Sequence, residues 1–174
     1  AEALGTEPIN YYKGKFDLLV EFGKEREIRE MDPDYRLLGK LNSRGVIVTA
    51  PGSDVDFVSR FFAPQVGIDE DPVTGSAHTT LTPFWSERVG KKVLDAQQLS
   101  SRGGKLNCKL LGERVLIGGK TARYLDGFLT ISDSSSNEVK QHLAINTIKS
   151  SRALRSQYEF LYKIKSILRF YRNV

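Results

Sequence analysis

Residues 69–80 read Asp-Glu-Asp-Pro-Val-Thr-Gly-Ser-Ala-His-Thr-Thr. In this stretch the carboxylate of Asp71 is followed by a proline, which fixes its own φ, and then by Thr74, a residue type that often caps helices. The small residues that come next predict a helix whose first N–H groups lack partners within the helix. Because such donors and the helix dipole favour negative charge, the stretch predicts a proton-handling carboxylate beside a binding site for a carboxylate.

The same stretch begins the one long helix that the sequence predicts, from Thr74 to about Val89. Gly90 follows as a stop signal, and Pro83 inside the helix removes a backbone hydrogen bond and predicts a kink. Apolar residues recur at helical spacing and give the helix one face to bury. These residues are Ala77, Leu81, Phe84 and Trp85.

Short β-prone pieces lie on both sides of this helix. Before it, the pattern predicts a hairpin, two short helices and two buried strands, at 9–13 with 16–22, at 24–31 and 35–41, and at 46–49 and 56–63. After it come four strand-like pieces separated by glycines, at 93–99, 105–111, 114–118 and 121–131. The order predicts an α+β fold in which a curved, mostly antiparallel sheet wraps one central helix.

The charge of the chain divides it into two parts. Residues 1–131 contain 18 basic and 18 acidic residues, whereas residues 132–174 contain the other 8 basic and 3 acidic residues. A neutral body has no electrostatic footprint for nucleic acid, so we expect none as a partner. The predicted domains are therefore 1–131 and a tail of 132–174, which comprises a polar linker and a basic stretch that is helix-prone or disordered.

The composition also suggests a compartment. Cys108 is the only cysteine, which excludes internal disulfides and cysteine-based zinc sites. Neither a signal peptide nor an apolar run of about 18 residues is present, and we expect a reducing, cytoplasmic location. Two interpretations of the tail are open. The favoured one is an extension without a partner, and the other is an amphipathic helix that contacts an anionic membrane surface or a partner protein.

At four places the residues match a known family, in the family's order and spacing. On these matches residues 1–131 resemble the C-terminal half of phenazine-biosynthesis-like (PhzF-like) isomerases, of the diaminopimelate-epimerase-like superfamily. The tail has no counterpart in that family. The matching segments are Arg44-Gly45-Val46-Ile47-Val48-Thr49-Ala50-Pro51-Gly52, Asp56-Phe57-Val58-Ser59-Arg60-Phe61-Phe62-Ala63-Pro64, residues 70–78, and Gln98-Leu99-Ser100-Ser101-Arg102-Gly103-Gly104.

The resemblance implies a fold of two similar lobes with the active site in the cleft between them. It also implies an isomerase or epimerase that moves a proton on a small carboxylate substrate without a cofactor or metal. Asp71 takes the position at which cysteine-dependent racemases of the superfamily carry a thiol. The family's main acid/base glutamate belongs to the N-terminal lobe, so we expect this chain to be inactive until that lobe is supplied by the same or another chain.

The resemblance assigns roles to residues of two segments. Asp71 and Ser76 are the predicted catalytic residues. The predicted substrate-binding residues are Thr74, Gly75, Ser76, Ala77, Arg102, Gly103 and Gly104. Residues 71–74 have an ordinary helix start as their alternative, and Ser76 also has a structural alternative. For residues 102–104 the alternative to a turn near the cleft is an RGG-type RNA-binding segment, for which a single copy in a neutral domain is a weak signal. We interpret His78 as structural, hydrogen-bonded within the domain.

A second function class remains open at this point. The sequence is also compatible with a non-catalytic binding or interaction module that keeps the carboxylate-binding helix end. An exposed face between lobes would then favour association, with a second copy of the chain or with another protein.

Overall fold

Nine strands form one sheet in the part of this computed structural model that is described, residues 1–120 and 157–163. By chain contacts, the described residues up to Gly119 and from Tyr158 onward belong to one compact unit, which contains the sheet apart from Lys120 and Gln157 at the ends of two strands. The strands are β1 Asn10–Lys13, β2 Asp17–Glu21, β3 Gly45–Pro51, β4 Phe57–Ala63, β5 Ile68–Glu70, β6 Val93–Gln98, β7 Gly104–Leu111, β8 Arg114–Lys120 and β9 Gln157–Lys163.

Three α-helices accompany the sheet in the described residues. They are α1 Glu25–Arg29, α2 Tyr35–Leu38 and α3 Gly75–Val89, and two short 3₁₀ helices occupy Glu2–Leu4 and Pro64–Val66. Helix α3 is followed by its C-cap residue Gly90, whose φ of 72° is left-handed and suits a residue without a side chain. No helix within the described residues has the length and apolar character needed to cross a membrane.

The strand order is β1-β2-β3-β4-β6-β7-β8-β9, with β5 paired to β4 at the side. Among the pairs from β1 to β8, neighbours are antiparallel except for β2 with β3 and β4 with β6, which are parallel. A parallel pair needs a crossover connection. The first crossover contains α1 and α2, and the second contains α3. The sheet is therefore mixed but mostly antiparallel.

The two crossovers cover opposite faces of the sheet, because alternate residues of a strand point to opposite sides. On one face, Leu19 and Ile47 belong to the cluster that packs around α3. On the other, Val20 and Val48 pack with Ile28 of α1 and its neighbours. The four helical residues expected to be buried lie in the first cluster, Ala77, Leu81, Phe84 and Trp85, each 4% exposed or less.

The predicted fold class is confirmed. The hairpin, both short helices and the long helix occur where the sequence places them. The three-residue strand β5 is too short to leave a periodic pattern, and the sequence does not predict it. In the tail, residues 157–163 form a strand where a helix or disorder is expected. The predicted strand at 121–131, the predicted boundary at 131/132 and the rest of the tail lie outside the described residues.

Candidate active site at the start of α3

The first turn of α3 presents free N–H groups. Thr74 precedes it with extended backbone angles, φ −108° and ψ 101°, and the helix begins at Gly75. No side chain caps this end from Thr74, and the amides of Gly75, Ser76 and Ala77 make no hydrogen bond with any other described residue. Three converging donors at the positive end of a helix dipole are suited to an oxyanion or a carboxylate.

Thr74 occupies the N-cap position, but its side chain does not make the capping hydrogen bond that threonine often makes there. Its hydroxyl donates to Oδ2 of Asp71 at 2.5 Å and accepts from Nε2 of Gln98 at 3.1 Å. The hydroxyl hydrogen is therefore used by Asp71, and the side chain is turned away from the first-turn amides. With Thr74 6% exposed, its predicted contact with substrate has no support from this geometry.

Asp71 lies in the short segment between β5 and α3. Its backbone is held on both sides, since its N–H donates to the carbonyl of Phe61 at 3.0 Å and its own carbonyl accepts from Gln98 Nε2 at 2.7 Å. The side chain is half-buried and its Oδ2 is held by Thr74. The carboxylate is thus fixed four residues before the start of the helix and still reachable from solvent.

Gln98, the last residue of β6, organises this segment and is absent from the predicted site residues. It is fully buried, and its Oε1 accepts from the N–H of Thr74 at 2.8 Å. A signal for it exists in the sequence. Leu94, Ala96 and Gln98 alternate toward the core, and a polar side chain at an inward position must find hydrogen-bond partners.

Arg44 is a second residue at the site that the sequence does not predict. Its guanidinium pairs with both carboxylate oxygens of the buried Asp17, and its Nη2 also donates to Oγ of Ser76 at 3.3 Å. The hydrogen bond to Asp17 raises the pKa of Arg44, so the group stays cationic. Because a guanidinium can only donate, Ser76 accepts from it, and the hydroxyl hydrogen of Ser76 is free to point to another acceptor.

The loop that contains Arg102, Gly103 and Gly104 packs against the segment before α3. Ser100 Oγ donates to the carbonyl of Pro72 at 2.7 Å and accepts from the N–H of Gly103 at 3.0 Å. A Cβ on Gly104 would lie 2.5 Å from Cγ2 of Val73, so the close approach requires glycine there. Arg102 is exposed. The loop therefore borders the site, and its contact with substrate stays a prediction.

His78 lies one turn into α3 and is completely buried. Its Nδ1 is 2.8 Å from the carbonyl of Thr74, which can only accept, so Nδ1 carries the hydrogen. Its Nε2 has no partner in the described residues. Burial lowers the pKa of His78 to about 4, and the ring is neutral near pH 7. These contacts agree with the structural interpretation.

This burial predicts a loss of stability in mild acid. The pKa of His78 falls from 6.5 unfolded to about 4 folded, so between these values the unfolded chain binds more protons. We expect His78 to remove about 3 kcal/mol of unfolding free energy as pH falls from 6.5 to 4, and nothing above 6.5. Urea titrations across this range measure it. His78→Asn keeps a donor for Thr74, and its curve should lack this component; parallel curves would contradict the prediction.

The remaining reactive groups offer no alternative chemistry. Cys108 is fully buried in the core around α3, and burial raises the pKa of its thiol to about 11, so it is not a nucleophile near neutral pH. Among the described residues, no three His, Cys, Asp or Glu side chains come together in a way that could hold a metal ion. Asp71, Ser76 and the first-turn amides stay the predicted reactive groups of this site.

Comparison with known proteins places this geometry in a family. The sequence profile described as phenazine biosynthesis-like protein, PhzC-PhzF, matches residues 2–127. The chain belongs to the PhzF-like family. The matched range includes β1 to β8, α3 and every predicted site residue. The resemblance drawn from the four sequence segments is confirmed as to family.

Relatives and solved structures agree with that membership. An uncharacterized isomerase of Pseudomonas aeruginosa is 50% identical over 131 residues, which cover 75% of this chain and 50% of that protein. A phenazine biosynthesis-like domain-containing protein of Bos taurus is 50% identical over 94 residues, 50% of this chain and 33% of that protein. The crystal structure of a PhzF-family protein of Enterococcus faecalis superposes with a TM-score of 0.66 at 46% identity, covering 68% of this chain and 45% of that one.

The chain spans about half the length of the bacterial relatives it matches. The match therefore assigns the family to this chain, but not the activity of those proteins as wholes.

Proposed function

We propose that this chain is the C-terminal lobe of a PhzF-like isomerase, and that it transfers a proton on a small carboxylate substrate once an N-terminal lobe is present. The observation that carries the proposal is that a positioned carboxylate, Asp71, immediately precedes a helix start at which three backbone N–H groups have no partner among the described residues. Membership of a family whose relatives are named isomerases supports the reaction class.

The reaction class makes two demands that these residues suit. A proton next to a carbonyl or carboxylate is weakly acidic, so the site must stabilise the enolate-like charge that develops and hold a base within reach of the C–H bond. The amides of Gly75, Ser76 and Ala77 supply preorganised donors for that charge. Asp71 supplies a carboxylate, and Ser76, whose hydroxyl hydrogen is not needed by Arg44, supplies one more donor.

The site is incomplete without a partner group on the opposite side of the substrate. The resemblance assigns the main acid/base glutamate to the N-terminal lobe, which would face the start of α3. In this proposal the N-terminal lobe is the required partner, in the same or another chain, and the substrate bears a carboxylate.

Complementation tests the proposal directly. The chain is mixed with the half of the Pseudomonas aeruginosa relative that it does not match, and complex formation is followed by size-exclusion chromatography. In D₂O, we expect the complex to incorporate deuterium into at least one member of a panel of small carboxylic acids. Each half alone, assayed at the same concentration, should not do so.

One outcome would contradict catalysis by this chain, and a second would then favour the alternative function. A complex that forms and exchanges no proton in the whole panel would remove the isomerase proposal. If the same complex, or the chain alone, still bound carboxylates through the amides of α3, the non-catalytic binding module would be the better description.

A further inference from the structure

The residues behind Asp71 form a directed hydrogen-bond chain. It runs from Gln98 Nε2 to Thr74 Oγ1 at 3.1 Å and from Thr74 Oγ1 to Asp71 Oδ2 at 2.5 Å. The first two members are buried, Gln98 completely and Thr74 to 6% exposure, and Asp71 is half-buried at the solvent end. A hydrogen-bond chain between buried polar groups strongly constrains the geometry of the side chains that it joins.

The orientation of the Gln98 amide is fixed by its other partners. Its Oε1 accepts from the N–H of Thr74 at 2.8 Å, and its Nε2 donates to the carbonyl of Asp71 at 2.7 Å. A backbone N–H can only donate and a backbone carbonyl can only accept. A flipped amide would place donor against donor and acceptor against acceptor, so only one orientation satisfies both groups.

The direction of the second bond follows from the first. Because Gln98 Nε2 donates to Thr74 Oγ1, the hydroxyl must use its own hydrogen elsewhere, and Asp71 Oδ2 is the acceptor it reaches. The Asp71 carboxylate is therefore held through Oδ2, on the side of the buried Thr74 and Gln98. Its Oδ1 has no partner among the described residues and is the oxygen left for the substrate.

We propose that Gln98 and Thr74 are positioning residues for Asp71, and that they fix its side chain so that Oδ1 faces the substrate. This inference rests on the proposed function for its chemical meaning, but the hydrogen-bond chain exists independently of any activity. Gln98 acts twice, since it also holds the backbone of Asp71 and of Thr74. The role of Thr74 thus lies in orienting the carboxylate, and neither residue needs to touch the substrate.

The first test is spectroscopic and uses the full chain labelled with ¹³C and ¹⁵N. We expect the Thr74 hydroxyl hydrogen to give a resolved resonance, the Gln98 side-chain amide hydrogens to be protected from exchange, and the three-bond couplings of Asp71 to report one χ1 rotamer. Thr74→Val should remove the hydroxyl resonance and average the Asp71 rotamers, whereas Thr74→Ser should keep a single rotamer. Averaged rotamers in the unmodified chain would overturn the proposal.

The second test uses the complemented assembly that exchanges deuterium. Thr74→Val should lower kcat by about 10- to 100-fold with KM changed by about twofold or less, because a misaligned base affects the chemical step more than binding. Thr74→Ser should lose less. The matched control is Thr80→Val, the same change at a half-buried position of α3 outside the chain of bonds. A Thr74→Val enzyme with unchanged kcat would overturn the catalytic meaning of the proposal.

Gln98→Glu keeps the size of the side chain and replaces the donor Nε2 by an acceptor. We expect it to average the rotamers of Asp71 as Thr74→Val does, with circular dichroism confirming that the variant folds. If the spectra show the hydrogen-bond chain and the complex is inactive with every acid, the positioning of Asp71 stands and the proposed reaction fails. If exchange occurs and the spectra show no such chain, the reaction stands and the positioning proposal fails.

Discussion

Replacing Asp71 by Asn is expected to reduce deuterium exchange by the complemented assembly by about 10²- to 10⁴-fold, the range that a positioned acid/base group contributes. The substitution removes the proton acceptor and leaves the local structure in place. The amide oxygen of Asn can still accept from Thr74 Oγ1, and the backbone bonds to Phe61 and Gln98 do not involve the side chain. Binding of a carboxylate to the first-turn amides should therefore persist.

The same stretch offers a matched control for this prediction. Asp69 is exposed and lies two residues earlier, and its side chain has no hydrogen bond or ion pair with a described residue. Asp69→Asn therefore changes the net charge equally without touching the site. We expect exchange rates close to those of the unmodified chain. A single-turnover assay at saturating substrate separates the chemical step from binding. An Asp71→Asn assembly that keeps more than about a tenth of the rate would show that the carboxylate is not the acid/base group.

The sequence predicts the central helix well because several independent signals agree there. A proline before the start, small residues in the first turn, apolar residues at helical spacing and a glycine at the end all indicate the same element, and the helix is found at Gly75–Val89. The free amides follow from the helix start alone. The same reasoning fails for the Thr74 side chain, because its hydroxyl binds Asp71 and Gln98 and makes no hydrogen bond with the first-turn amides.

One of the two residues that bind the Thr74 hydroxyl is distant in sequence. Asp71 lies three residues before Thr74, but Gln98 comes from a strand 24 residues later, and its place beside the helix start depends on the parallel pairing of β4 with β6. In the same way, Arg44 reaches Ser76 from the residue before β3, and Asp17 of β2 holds Arg44. Local patterns describe single elements, so residues that act through tertiary contacts stay hidden even when the segments containing them are recognised.

The segment before Asp71 depends on a buried ion pair whose loss has a large expected cost. Arg60 of β4, 9% exposed, pairs with Glu70 of β5 through Nε and Nη2 at 2.7 and 2.9 Å. Its Nη1 donates to the carbonyls of Ile28 and Met31, at 3.2 and 2.6 Å. One guanidinium thus joins the central sheet, the strand next to the site and the end of α1. None of these bonds follows from the local sequence.

Replacing Arg60 by Met is expected to lower the unfolding free energy by about 3–5 kcal/mol, because it leaves the Glu70 carboxylate and two carbonyls without their donor. Urea denaturation followed by circular dichroism measures the change. Arg36→Met is the matched control, since the Arg36 side chain is 79% exposed and such ion pairs are worth about 0–1 kcal/mol. Adding Glu70→Met to Arg60→Met should restore part of the loss, since the unpaired carboxylate is then gone. If the unfolding free energy of Arg60→Met lay within about 1 kcal/mol of that of the unmodified chain, this account would be contradicted, because breaking a buried ion pair costs more than that.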